Sequence, residues 1–325
     1  MVGDERSTLG GTATLATDDP VLAAFAEEVG AEGPVAVDGA RTRWSRGGEP
    51  APGTRLVRAP AGIVDHKPEE MTVTVRAGTP VTELHAALAE RGQRTALPDR
   101  GGTVGGALAV GESDVRALGR GLVRTALLQI RYVSAEGRIV SGGGPTVKNV
   151  SGFDLPRLMV GSLGTLGLLA EAILRTNPLP ATSRWLVATG ADPVAVHERL
   201  LDPAAVLWDG SATWVELEGH EADVDAQQAT LADLGSFGVV EPSEPGRLPV
   251  ALPPNRWSLP PAELGDLATR PIGSFVATVG LGLVFAERPQ PPRSLGPAVA
   301  EVSRRLKDNF DPTGRLNPGR DPADA

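Results

Sequence analysis

PTVKNVSGFDLPRLMVGSLGTLGLLAEAILRTNP, residues Pro145 to Pro178, decides how the rest of the chain is read. It opens on a lysine in a polar turn, Lys148-Asn149, and passes through Gly152-Phe153-Asp154 into the apolar run Leu155 to Val160. Gly161, Gly164 and Gly167 interrupt it before a strand-like Leu168 to Leu174. Glycines three apart clear one side of the backbone, so that a helix face or a flat loop can lie against something large and planar. Glycine permits positive φ and close backbone approach at a cost in chain entropy, which a plain core segment has no reason to bear. From its residues alone the stretch is either an ordinary helix, turn and buried strand, or a backbone platform for a flat ligand.

Working outward, the bulk numbers narrow the classes. A chain of 325 residues is too long for one small core and suits two domains. Hydrophobic and charged shares of 41% and 22% are those of an ordinary globular protein. A net charge of -9 argues against nucleic acid, which needs concentrated Lys and Arg. No apolar run approaches the roughly 18 residues of a membrane-crossing helix, so no transmembrane segment is expected. The first thirty residues lack a basic start followed by an apolar core, so no signal peptide is expected either. With no cysteine the chain forms no disulfide, thiolate metal site or iron–sulfur cluster of its own. His66, His85, His197 and His220 form no i, i+3 or i, i+4 pair, so no metal site is expected, and the cytoplasm is the expected compartment.

Two further turns stand out. The small strand Val35-Ala36-Val37 runs into Asp38-Gly39-Ala40-Arg41-Thr42-Arg43-Trp44, and such a strand-to-turn can aim several backbone N–H groups at an anion. Ala96 to Ala109 contains Pro98, Thr103, Val104, Gly105, Gly106 and Ala109, a loop whose glycines let the backbone approach a ligand while Thr103 offers a hydroxyl. Between them, MTVTVRA at 71–77 alternates as a half-buried strand does. Thr79-Pro80 then reads as the N-cap and first residue of a helix with Val81, Leu84, Ala87 and Leu88 on one face. Neither G-x-G-x-x-G in a strand–turn–helix setting nor G-x-x-x-x-G-K-[ST] occurs, so Rossmann and P-loop readings are poor.

These pieces, in this order, resemble a known family. K-N-x-x-G-[YF]-D-L-x-[KR]-L-x-x-G-S-x-G-T-L-G-x-[LI]-x-E is similar to the segment near the flavin in FAD-binding oxidoreductases of the vanillyl-alcohol-oxidase (PCMH-type) superfamily. Within it, the likeness is strongest to the FAD-binding (E) subunit of bacterial glycolate oxidase. The terminal D-P-x-G-x-[LF]-N-P-G-[RK] at 311–320 resembles the family's ending. The resemblance implies an α+β fold: a two-lobed PCMH-type FAD-binding domain over 1–178, a smaller α+β cap over 179–296, and a C-terminal helix and tail over 297–325 returning to the FAD domain. It implies FAD as cofactor, contacted by Gly39, Ala40, Arg41, Thr42, Arg43, Pro98, Thr103, Val104, Gly105, Gly106, Ala109, Ser113, Lys148, Gly152, Gly161, Thr165, Gly167, Leu168 and Asn317. The phosphate turn keeps only Gly39 and Thr42 of the family's G-G-G-[TS]-K, with Arg43 where lysine often sits, and Arg41 and Arg43 are expected as direct phosphate ligands. Asn317 is expected to donate to the flavin edge. In the segment after the second loop only Ser113, Arg116, Gly121 and Arg124 match by type.

Oxidising a 2-hydroxy acid needs a cation for the carboxylate, a base for the hydroxyl proton and a hydride acceptor. No H-x-H or E-H pair occurs, and Leu163 stands where catalytic relatives often carry Glu. No catalytic residue is therefore assigned. The resemblance implies an FAD-holding subunit of a complex with a catalytic flavin subunit and an iron–sulfur subunit, acting on a small 2-hydroxy acid and cytoplasmic or membrane-peripheral through the complex. Two alternatives stay open: a stand-alone dehydrogenase with His220 or Glu218 as base, and a flavin-free scaffold.

Overall fold

The alternating run at 71–77 forms the strand Thr72–Arg76. It lies between Ile63–Lys67 and Leu168–Pro178 in an antiparallel sheet that continues through Leu127–Val133 to Ile139–Gly143, with Gln93–Thr95 pairing the long strand as well. Val73 and Val75 enter a core with Leu84, Leu88, Val104, Leu108, Ile130 and Met159. The period of two turns Arg76 to the other side, directly opposite Glu171, which Arg131 also faces from the next strand. This structure is a computed structural model, and it describes residues 19–144, 154–244, 246–291 and 296–324.

The chain divides into two compact units. The first takes Met1–Glu112, Val123–Asn177 and Arg293–Ala325; the second takes Ser113–Leu122 and Pro178–Pro292. Beside its main sheet, the first unit has a parallel pair, Val35–Val37 with Arg55–Val57. A second core of Leu22, Phe25, Val29, Val35, Val57, Val133, Leu168 and Leu316 joins that pair to the helix Pro20–Val29 and to the C-terminal tail. The tail follows the amphipathic helix Pro297–Phe310, and Asn317 N donates to Val35 O at 2.8 Å.

The second unit is an antiparallel sheet of seven strands: Gly238–Val240, Thr182–Thr189, Ala212–Gly219, Ala205–Trp208, Phe275–Thr278, Leu283–Ala286 and Asn255–Ser258. One face packs on the helices Pro193–Arg199 and Glu221–Ala229 through Leu186, Val196, Val215, Leu217 and Val224. The other carries Val115, Trp185, Leu207, Val276 and Phe285.

Two local expectations are corrected. Thr79 does not cap the helix Val81–Ala89; its hydroxyl accepts from Gly62 N at 2.9 Å and donates to Gly62 O at 3.1 Å, closing the loop before Ile63–Lys67. The proline-rich stretch 241–261 reads as loop from its composition, yet it contains the edge strand Asn255–Ser258, held by Leu283–Ala286.

Candidate functional site

A cleft of about 390 Å³ opens in the first unit, a volume suited to a small-molecule site. One wall is the turn that follows Val35–Val37. Asp38 N bonds Val57 O at 2.8 Å, which pins the start of the turn to the parallel partner. Arg41 holds the Asp38 carboxylate with Nε at 2.7 Å and Nη2 at 2.9 Å, and it lies 4.7 Å over the Trp44 ring. That hydrogen-bonded guanidinium keeps the Asp38 carboxyl below its usual range, against a smaller effect of burial.

Arg43 reaches inward instead. Its Nε bonds Glu112 at 2.9 Å, and its Nη1 bonds Thr42 Oγ1 at 3.1 Å and Gly101 O at 3.0 Å. Its Nη2 is buried with no hydrogen-bond partner among the described residues. The two turns nest because residue 102 is glycine at φ 88: a Cβ there would stand 2.6 Å from Thr42 Oγ1 and 2.9 Å from Arg43 Nη1.

The second glycine loop behaves differently from expectation. Thr103 is the N-cap of the helix Val104–Val110, its hydroxyl accepting from Gly106 N at 3.2 Å. Val104 N bonds Thr79 O at 2.9 Å and Gly105 N bonds Ala77 O at 2.7 Å. All three N–H groups are thus spent inside the protein. What the loop supplies is a bare backbone edge, with Gly105 seated so close to Ala77 that a Cβ would meet its Cβ at 2.8 Å.

The remaining wall joins distant parts of the chain. Leu163 N bonds Ala109 O at 2.8 Å and Gly161 N bonds Leu108 O at 3.0 Å, so the turn after Val160 hangs from the helix Val104–Val110. Asn317 Nδ2 donates to Leu163 O. Only 9% of Asn317 is exposed, and its Oδ1 is buried without a partner among the described residues. Arg41, Leu163 and Asn317, at φ 56, 52 and 47, all line this cleft and belong to the few non-glycine residues with positive φ. Left-handed backbone at such residues is costly, and it clusters where the surroundings over-determine a site.

Of the expected ligand-contacting residues, the wall brings together Gly39, Ala40, Arg41, Thr42, Arg43, Thr103, Gly105, Gly106, Ala109, Leu168 and Asn317. Others support it from behind. Val104 is core, and Pro98 is buried beside its loop. Thr165 donates its hydroxyl to Ser162 O at 2.7 Å. Gly161 is tied to Leu108, and a Cβ at Gly167 would strike the Tyr132 ring at 2.3 Å. Ser113 lies in the second unit and is not part of the wall. Lys148 and Gly152 fall outside the described residues. Sequence reasoning passed over Trp44, Arg58, Leu163 and Arg320 as wall residues, although Arg320 ends the N-P-G-[RK] motif.

The arrangement fits a dinucleotide-sized anion with a flat ring. Four arginines and one aspartate line the cleft of a chain whose net charge is -9. Arg43 Nη2 has a proton to give to a phosphate, and Asn317 Oδ1 has lone pairs for a ring N–H. Asn317 spends one amide hydrogen on Leu163 O, which leaves its second N–H for the expected donor role and its Oδ1 as an acceptor. Among the described wall residues there is no histidine, and the single carboxylate, Asp38, is already clasped.

Comparisons with known proteins bear on the cofactor. Residues 12–143 match the FAD binding domain family. Over 195 residues the chain is 36% identical to glycolate oxidase subunit GlcE of Escherichia coli (strain K12), covering 57% of this chain and 56% of that protein. It is 35% identical over 130 residues to glycolate oxidase subunit GlcD of Bacillus subtilis (strain 168), covering 39% of this chain and 27% of that one. It is 34% identical over 129 residues to D-2-hydroxyglutarate dehydrogenase of Xanthomonas citri pv. viticola, covering 38% and 27%. The matches therefore span about half the length of the first relative and about a quarter of the other two. A solved alkyldihydroxyacetonephosphate synthase superposes with a TM-score of 0.64 at 18% identity over 92% of this chain and 73% of that one, a likeness of fold alone. Residues 12–143 are thus similar in sequence to FAD binding domains, and the chain shares its fold with that synthase.

Proposed function

We propose that the chain is the FAD-holding subunit of a glycolate-oxidase-type complex that oxidises a small 2-hydroxy acid, and that it binds FAD noncovalently. Bound FAD supplies the electron acceptor. The observation carrying this reading is a cleft wall equipped to recognise a phosphate and a ring N–H but without a base among its described residues. Abstraction of a hydroxyl proton requires a base within hydrogen-bond reach, and a carboxylate held low by its arginine, as Asp38 is, makes a poor one. The wall also offers no cysteine, histidine or tyrosine for a covalent flavin bond among its described residues.

In this reading Arg41 and Arg43 attract the phosphates, the glycine edge at 105–106 lets the cofactor lie flat, and Asn317 fixes one ring edge. Proton abstraction falls to a separate catalytic flavin subunit, and an iron–sulfur subunit takes the electrons onward. Support for the complex comes from the glycolate oxidase subunits GlcE and GlcD among the relatives. No helix among the described residues is long and apolar enough to cross a membrane, so we place the chain in the cytoplasm, touching a membrane through its partners. A stand-alone dehydrogenase using Glu218 is disfavoured because Arg120 bonds that carboxylate at 3.1 Å. The test is to purify the chain, titrate it with FAD, and add glycolate or D-lactate without oxygen. Tight uptake of FAD that stays oxidised until the catalytic subunit is added is expected. Bleaching by the acid alone overturns the accessory role, and failure to take up FAD overturns the cofactor site.

A further inference from the structure

Two of the four guanidinium groups in the cleft wall have carboxylate partners, Arg41 with Asp38 and Arg43 with Glu112. The other two, Arg58 and Arg320, form no ion pair among the described residues. Arg58 is felt by Asp38, and Glu49 by Arg320, only through the field. Arg320 is nonetheless drawn in: its Nη1 donates to Trp44 O at 2.5 Å and Arg46 O at 2.7 Å, and its guanidinium lies 4.7 Å over the Trp44 ring that also carries Arg41. Two cations on one indole repel each other, and the ring quadrupole offsets only part of that.

In the second loop the N–H groups of Val104, Gly105 and Gly106 already have acceptors within the protein. Backbone help for an anion in this cleft therefore falls to the first turn, and the rest must come from side chains.

We propose that Arg58 and Arg320 bind the diphosphate of FAD, standing in for the backbone donors that the second loop has spent inside the protein. The assignment rests on the FAD reading above. Burial, which holds Arg320 below the usual arginine range, agrees with a cation kept from water for an anionic partner.

The test compares FAD with riboflavin, which has the ring and ribityl chain but no phosphate, by fluorescence titration of the full chain and of Arg58→Gln, Arg320→Gln and the double variant. Arg58 is exposed and makes no hydrogen bond among the described residues, so its replacement leaves the fold alone, whereas Arg320 also supports the 44–46 carbonyls. Each single change is expected to raise the Kd for FAD about tenfold, and the pair about a hundredfold, with the Kd for riboflavin unchanged within about twofold. Equal losses for both ligands would assign the arginines to loop support and overturn the proposal, as would variants that bind FAD like the unaltered chain. If the unaltered chain binds neither ligand, the FAD reading falls and this assignment falls with it.

Discussion

Asn317 shows how a residue's type and its use can differ. The N-P-G-R ending singles it out, but nothing local says which end of the amide is free. That depends on Leu163 O, 154 positions away, which takes one of the two Nδ2 protons. Its backbone at φ 47 also depends on asparagine tolerating the left-handed region. Asn317→Ala loses the bond and strains the backbone, a loss of about 2 kcal/mol in urea unfolding, while Asn317→Gly loses only the bond and falls by about 1 kcal/mol. Should glycine prove the worse replacement, backbone strain is not what asparagine relieves. Gly105 and Gly106 divide in the same way. A methyl at Gly105 would stand 2.8 Å from Ala77 Cβ and 3.0 Å from its carbonyl oxygen, whereas one at Gly106 meets only Thr103 Oγ1 at 3.2 Å. Thermal melts without flavin should show Gly105→Ala losing about 2 kcal/mol more than Gly106→Ala. Equal melting points would mean that the loop shifts away from Ala77.

At the scale of elements, the C-terminal tail ties the cleft to the rest of the first unit. Asp311, 2% exposed, accepts from Lys307 Nζ at 2.6 Å, Leu316 N at 2.7 Å and Arg315 N at 3.0 Å. Arg315 spreads its donors over the carbonyls of Gly33 and Val29 at 2.9 Å and of Ala135 and Glu32 at 3.1 Å. Burial pulls the Asp311 carboxyl up, but the Lys307 ammonium and the two backbone N–H groups together outweigh it and leave the group below its ordinary 3.8. A depressed carboxyl stabilises the fold fully above its unfolded value, and that stability is lost as pH falls through the folded value. Asp311→Asn should therefore lose about 2–3 kcal/mol at pH 7 and lose less than the unaltered chain on going from pH 5 to pH 3. Parallel pH curves for the two proteins would remove Asp311 from the acid response. The helix before this tail, Pro297–Phe310, has an amphipathic spacing that its sequence shows by itself. The strands Arg55–Val57, Gln93–Thr95 and Gly238–Val240 were not, because at three residues each a strand is fixed by its neighbour's backbone rather than by its own alternation.

Over the whole molecule, Glu171 in the first unit and Glu216 in the second are each buried against arginine. In the first, Glu171 is faced by Arg76 at 2.7 Å and Arg131 at 3.3 Å. In the second, Arg116 Nε meets Glu216 at 2.6 Å, with Ser183 Oγ donating at 3.0 Å and Arg116 Nη2 reaching Arg247 O at 3.2 Å. The first pairing was half-visible, since Arg76 and Glu171 lie on strands read from their pattern. The second was not: Arg116 follows the second glycine loop in sequence, and a partner 100 residues later leaves no local trace. Burial lifts both glutamates above their ordinary 4.5, with the arginines opposing it. A raised carboxyl binds more protons folded than unfolded, so its contribution is best below 4.5 and weakens as pH climbs through the folded value. Arg116→Met removes the chief opposing charge and leaves a carboxyl, 3% exposed, that must either stay protonated or sit charged and unpaired. The loss should be small at pH 5 and reach about 3–5 kcal/mol at pH 8, read from urea unfolding of the second unit. Adding Glu216→Gln should recover most of the pH 8 loss and flatten the pH dependence. A pH-independent loss, or no recovery in the double variant, would mean that Arg116 serves Arg247 O and the Trp185 face rather than the glutamate.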